Sequence, residues 1–191
     1  MPDTGAPWNI PYVAGTDLVA DWPTDSQTLA EAIADGLDAA SKLKQVVSTT
    51  KTDAFAGSST GWFTLTGLTA TITPTSATST VLAILTVGAM DASGASRKMI
   101  RVTRGGTAIG VGDAAGSRTQ TGLFVDFESI NRVQSSSWSF LDSPATTSAT
   151  TYTAEGYQTG GTFLLNRQNS DSDNNSVGRA VSTLTVMEIA A

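Results

Sequence analysis

The spacing of the apolar residues changes once along this chain, and that change limits the folds it can adopt. In the first part of the chain they recur every three or four positions, which indicates one face of a helix. The residues with this spacing are Leu29, Ile33, Leu37, Ala40, Leu43 and Val47. Further on, apolar and polar residues alternate, as Leu68, Ala70 and Ile72 do between threonines. Alternation is typical of strands, so the sequence predicts one helix followed by a β domain.

The β domain is predicted to consist of short antiparallel strands joined by turns rich in Gly, Ser, Asp and Asn. Strands are expected at residues 68–73, 81–87, 100–103, 109–111, 123–130, 135–141, 150–157, 162–166 and 182–189. Gly105-Gly106 predicts a two-residue hairpin turn. Val81–Val87 is apolar at nearly every position, which predicts a central strand covered on both faces. This pattern indicates an antiparallel β-sandwich.

The helix is predicted over residues 24–47. Thr24 follows Pro23 and can cap the first turn, with Gln27 completing a capping box. The apolar stripe is narrow, as in the seam of a coiled coil. Two interpretations stay open: a neck in which copies of the chain associate along the stripe, or an amphipathic helix folded onto the β domain.

Residues 1–23 contain four of the six prolines, which excludes a helix and favours an extended segment. The same segment carries Trp8, Tyr12 and Trp22 but is too short to bury them. Large aromatic side chains in such a segment indicate that it docks onto another protein. A disordered tail is the alternative.

The absence of Cys and His narrows the possible chemistry. It excludes disulfides, imidazole general bases, histidine-based serine triads and the usual zinc sites. We therefore expect no cofactor and no enzymatic activity. No apolar run is long enough to cross a membrane, and the first thirty residues lack a signal-peptide pattern.

The net charge of −6 is unevenly distributed. Residues 1–41 carry seven of the seventeen acidic residues and no base, so the rest of the chain, with ten acids and eleven bases, is nearly neutral. This asymmetry marks a module boundary, and neither part has the basic stripe that phosphate binding needs. Nucleic acid is therefore not an expected partner.

Four features could indicate a site, and each has a simpler interpretation. Asp126 and Glu128 share a strand face, as two carboxylates of a glycosidase could, but a solvated strand face gives the same pattern. Asp171–Asn175 begins like a calcium loop, yet Ser176 and Ser182 stand where the loop needs Gly and a carboxylate. Arg101 and Arg104 lie just before the Gly105-Gly106 turn and could suggest anion binding, but no phosphate-binding motif is present and the hairpin turn suffices. The aromatic residues are expected in the core, with sugar stacking as the alternative: Trp62, Trp138, Phe140 and Tyr152.

The last predicted strand, Ser182–Ile189, is apolar on both faces and ends two residues from the C-terminus. Such a strand needs a cover on each face. Sister copies around a symmetry axis can supply it, and so can the sandwich itself.

Two parts of the chain resemble proteins of tailed bacteriophages. Trp8-Asn9-Ile10-Pro11-Tyr12 and the segment 22–34, with Leu29-Ala30-Glu31-Ala32-Ile33, resemble the opening of tail-fibre and virion-appendage proteins. Segments 150–154 and 184–189 resemble trimeric sandwiches of the C1q and tumour-necrosis-factor type, which are jelly rolls. The resemblance implies an N-terminal anchor on the particle, a trimeric stalk and a trimeric β head.

We therefore expect three parts: a virion anchor at residues 1–23, a helical neck at 24–47 and a β-sandwich head at 48–191. The expected anchoring residues, which contact another virion protein, are Trp8, Ile10, Pro11, Tyr12 and Trp22. The expected homotrimer interface consists of Leu29, Ile33, Leu37, Leu43, Val47, Leu184 and Val186.

The expected function is that of a structural subunit of a short fibre on the tail, baseplate, collar or capsid, assembled in the host cytoplasm and located in the virion. One alternative is an adhesin whose head loops, at residues 113–122, 142–149 and 169–178, bind a host glycan or surface protein. A capsule depolymerase is a further alternative, for which the chain is short and poor in paired acids.

Overall fold

The computed structural model describes residues 22–191, and for residues 38–40 it describes the backbone alone. The described chain is mainly β, with one helix and eleven strands. These are α1 (Trp22–Ala40), β1 (Leu43–Lys51), β2 (Phe55–Gly57), β3 (Phe63–Ile72), β4 (Thr80–Ala92), β5 (Ser96–Arg104), β6 (Thr107–Ile109), β7 (Leu123–Phe127), β8 (Gln134–Asp142), β9 (Thr150–Gln158), β10 (Phe163–Leu165) and β11 (Ser182–Ile189). Two compact units result, with the boundary between Lys42 and Leu43.

The helix differs from its prediction at both ends. It begins at Trp22, so Trp22 and Pro23 are helical rather than extended. Thr24 is not the N-cap, because it lies inside the first turn of a helix that begins two residues earlier, at Trp22. The helix ends at Ala40, and Leu43 and Val47 belong to β1. The physical reason is the run Val46–Thr50, in which β-branched residues favour a strand that pairs with β11.

The larger sheet has six antiparallel strands. β4 lies at its centre, with β11 and β8 on opposite sides of its first half. β1 pairs with the far side of β11, while β10 pairs with the end of β4 and with β2. The predicted central position of Val81–Val87 is confirmed. Among the described residues 22–191, its predicted coverage on both faces is found on one face only, because Leu82 and Ile84 on the other face are partly exposed.

The smaller sheet has five antiparallel strands in the order β3-β9-β5-β6, and β7 pairs with β5. The turn between β5 and β6 is the predicted Gly105-Gly106, whose φ angles of 54° and 87° lie in the left-handed region that glycine adopts without strain. The hairpin prediction is therefore confirmed.

The two sheets enclose one hydrophobic core, which confirms the antiparallel sandwich. The larger sheet contributes Val81, Leu85 and Leu184, and the smaller one contributes Ile100 and Tyr152, all fully or almost fully buried. Burying apolar area at about 25 cal/mol per Å² is the main favourable term in such a core.

Three acidic residues are buried in the described part of the chain, namely Asp91, Asp142 and Glu188, and Glu188 has a strongly lowered pKa. The buried Glu188 on β11 accepts hydrogen bonds at Oε1 from the Thr75 amide (2.7 Å) and hydroxyl (2.6 Å), and at Oε2 from Gln45 (2.9 Å). Burial acts to raise the pKa of Glu188, but the hydrogen bonds from Thr75 and Gln45 oppose it and bring the pKa down to about 2.

Glu188→Gln is expected to lower the free energy of unfolding at pH 7 by about 1–3 kcal/mol, because an amide leaves buried donors without an acceptor. Since the folded pKa is depressed, the carboxylate stabilises the fold above its usual pKa of 4.5, and this contribution disappears as the pH falls through about 2. Denaturant titrations from pH 7 to pH 2 should show the two proteins converging. A constant difference over that range would contradict the assignment.

Candidate functional surfaces

The outward face of the larger sheet carries an apolar row that crosses four strands. Leu82 is opposite Leu141 on one side and opposite Met187 on the other, and Met187 is opposite Val46. We call these four residues the apolar row. Leu141 is 54% exposed and Val46 is 51% exposed, while Leu82 and Met187 are half-buried. Large apolar side chains aligned on an open sheet face indicate a surface that associates with another surface.

The predicted interface residues on the last strand are on the wrong face. Leu184 and Val186 are fully buried in this chain's own core, so neither can contact a sister copy in the folded chain. Val47 also points inward and packs against the core. The outward positions of β11 are instead Met187 and Ile189, because side chains alternate along a strand. Leu43 is 51% exposed and opposite Ile189, but on a strand rather than a helix.

The helix presents an exposed stripe of its own. Leu29, Ile33 and Leu37 are spaced one turn apart, and Ile33 and Leu37 are 44% and 70% exposed. Trp22, at the first helical position, is 60% exposed. The other predicted anchoring residues lie outside the described residues: Trp8, Ile10, Pro11 and Tyr12.

The outward face of the smaller sheet carries a second row, which is aromatic. Met99 on β5 is opposite Phe124 on β7 and Tyr157 on β9. Trp62 lies next to Tyr157, because the following residue, Phe63, is opposite Gly156. We call Phe124, Met99, Tyr157 and Trp62 the aromatic row.

The expectation that the aromatic residues fill the core holds only in part. Tyr152 is fully buried, and Trp138 packs against the core while its indole N–H donates to the Gly110 carbonyl at 3.0 Å. Phe140 is 37% exposed and stacks on Trp138. Trp62 is half-buried on the outer face. It immediately precedes β3, whose inward residue Leu65 fills the core instead.

Two of the acidic residues considered as candidate sites, Asp126 and Asp171, pair with arginines. Asp126 pairs with Arg97 at 3.0 Å, and Glu128 lies beyond the end of β7. Asp171 pairs with Arg167 at 3.1 Å and also with Arg179. The hydrogen bond from Arg179 lowers the pKa of Asp171. Within residues 22–191, no cluster of acidic side chains has an arrangement that could hold a metal ion.

Buried polar groups also tie the two sheets together. Asp142, at the end of β8, accepts hydrogen bonds from Arg104 (2.7 and 2.8 Å) and from the Tyr152 hydroxyl (2.7 Å) on the other sheet. Burial and the bond to Asp142 raise the pKa of Tyr152. Lys98 is buried beside Gln158 and the Gly160 carbonyl, and burial lowers its pKa to about 8. These contacts join neighbouring elements of the sandwich.

No helix in the described part of the chain is long and apolar enough to cross a membrane. No protein-family model matches the sequence, and no curated protein is significantly similar to it. The proposed function is therefore argued from the surface residues of this chain and from its sequence.

Proposed function

We propose that this chain is a structural subunit of a bacteriophage virion appendage, that it assembles as a homotrimer, and that it has no catalytic activity of its own. The observation that carries the proposal is the apolar row on the larger sheet. The bacteriophage context and the trimeric state are proposed from the sequence resemblance. It combines a fibre-like N-terminal segment with segments typical of trimeric sandwiches.

The apolar row favours another copy of the chain as its cover. Its four side chains span the sheet from edge strand β8 to edge strand β1, so they form a strip rather than isolated exposed residues. Removing such a strip from water is favourable by about 25 cal/mol per Å². The helix carries a second exposed stripe with the spacing of a coiled-coil seam. Association of identical chains would cover both surfaces without any other partner.

Leu141→Asp is expected to weaken association by roughly a hundredfold, because it would bury a charge in an apolar contact. Ile130→Asp is the matched control, since Ile130 is exposed to a similar degree (45% against 54%) but lies in a turn away from the apolar row. Sedimentation velocity over a dilution series compares the two variants. Equal dissociation of both variants, or of neither, would contradict the proposed interface.

The virion role is tested on particles. A peptide label after Ala191 should be found on assembled virions of the phage that encodes the chain, and antibody-labelled electron micrographs should place it at a fixed position on the particle. Virions that carry no label, with the labelled protein free in the lysate, would contradict the role.

A further inference from the structure

We propose that the aromatic row on the smaller sheet is a binding site for a neutral oligosaccharide. The inference goes beyond the structural role, and it does not depend on assembly, because the apolar row lies on the other sheet. The faces of aromatic rings suit the C–H-rich surfaces of sugar rings. Phe124 is 53% exposed and Tyr157 and Trp62 are half-buried, so three rings of the row reach the surface.

The Trp62 ring is held in position before any ligand arrives. The Arg101 guanidinium lies 4.1 Å from the centroid of the Trp62 ring. Glu155 fixes that guanidinium through a 2.8 Å bond to Arg101 Nε. The Tyr157 ring packs against Trp62 with a centroid separation of 5.5 Å and a tilt of 47°. Ring surfaces that are already ordered lose little conformational entropy on binding.

Hydrogen-bonding groups lie on both sides of the aromatic row. Arg97 lies two positions before Met99 on β5 and pairs with Asp126. Arg101 lies two positions after Met99 and pairs with Glu155. Guanidinium groups donate and carboxylates accept, so sugar hydroxyls can find both kinds of partner. Within each pair the charges cancel, which favours a neutral ligand over an acidic polysaccharide.

The dimensions of the row favour a narrow ligand over a folded protein. It crosses β7, β5 and β9 and ends at Trp62, next to the start of β3, so it is about 14 Å long; it is one side-chain row wide, and its area is on the order of 100 Å². A stable protein interface needs about 800 Å² from each partner. The site is also distinct from the head loops at residues 113–122, 142–149 and 169–178, which are the expected contact regions under the alternative adhesin function.

The test titrates the full chain with two neutral trisaccharides, maltotriose and chitotriose, and with hyaluronate oligosaccharides as the acidic comparison. Binding is followed by NMR, using the Trp62 indole N–H and the Tyr157 and Phe124 ring signals. Phe124→Ser and Trp62→Ala should each weaken binding of a neutral probe by about tenfold or more. Ile130→Ser removes a side chain of similar exposure outside the row and should leave binding unchanged.

Saturable shifts confined to the aromatic row and its flanking pairs, lost in Phe124→Ser and kept in Ile130→Ser, would support the proposal. Three results would overturn it: no shift with either neutral probe at millimolar concentration, a preference for hyaluronate, or shifts confined to the head loops. Unchanged methyl signals of the core in each variant would separate a lost site from a lost fold.

Discussion

Asp142→Ala is expected to lower the free energy of unfolding by about 3 kcal/mol or more. Asp142 ends β8 in the larger sheet and binds Arg104 and Tyr152 of the smaller one, so its carboxylate joins the two sheets. The alanine variant would leave the fully buried Tyr152 hydroxyl without its acceptor and Arg104 without its counter-charge. Chemical denaturation at neutral pH measures the loss.

Two further variants test whether the stability loss comes from the contacts of Asp142 with the other sheet. Asp126→Ala breaks an ion pair of about half-exposed side chains and should change stability by less than about 0.5 kcal/mol. Combining Asp142→Ala with Tyr152→Phe removes both the acceptor and the stranded hydroxyl, so the double variant should lose less than the sum of the single losses. Strict additivity, or equal losses for Asp142→Ala and Asp126→Ala, would contradict the joining role of Asp142.

Gly88→Ala is expected to cost about 3 kcal/mol or to prevent folding, because the chain approaches itself too closely there. A Cβ atom at Gly88 would lie 2.1 Å from the carbonyl oxygen of Val181, which is backbone and not the end of a movable side chain. The Gly88 amide also donates a hydrogen bond to the Ser182 hydroxyl at 3.2 Å, and a backbone shift away from Val181 would disturb this bond. The melting temperature and the yield of folded protein report the effect.

Gly112→Ala is the matched control for this variant. A Cβ atom at Gly112 meets no heavy atom within 4 Å, and its φ is not in the left-handed region. The substitution should therefore be neutral or stabilise by up to about 1 kcal/mol through the unfolded state. If the Gly88→Ala protein were as stable as the Gly112→Ala protein, the result would contradict the close approach of Gly88 to the Val181 carbonyl.

The periodicity of the sequence predicted the sandwich well. The last strand runs from Ser182 to Ile189 as predicted, and the central position of β4 follows from its apolar content. In contrast, the helix prediction extended too far, because Leu43 and Val47 continue the helical spacing by coincidence. The signal against it was present in Val46, Val47, Thr49 and Thr50, whose β-branched side chains favour a strand.

The sequence pattern of β11 does not predict which of its two faces is buried. Apolar residues occupy both of its faces, so the sequence does not tell which face lies inside. Glu188 suggests by polarity that its own face is the outer one, yet it is buried on the same side as Leu184 and Val186. The hydrogen bonds from Thr75 and Gln45, both distant in sequence, compensate for that burial.

The candidate surfaces depended on register between strands that are far apart in the chain. The apolar row needs β1, β4, β8 and β11 in one alignment, and the aromatic row needs β5, β7 and β9 in another. No local pattern encodes those alignments, and the same is true of the contact between Asp142 and Arg104. A lone glycine in a strand is a weak signal of close approach, and Gly88 is such a residue.

The central claim is that copies of this chain cover the apolar row of one another. Sedimentation equilibrium of the unmodified protein at micromolar to millimolar concentration tests it most directly. A single species of about 59 kDa, three times the 19.6 kDa of one chain, is the result we predict. A 19.6 kDa species throughout that concentration range would contradict the claim.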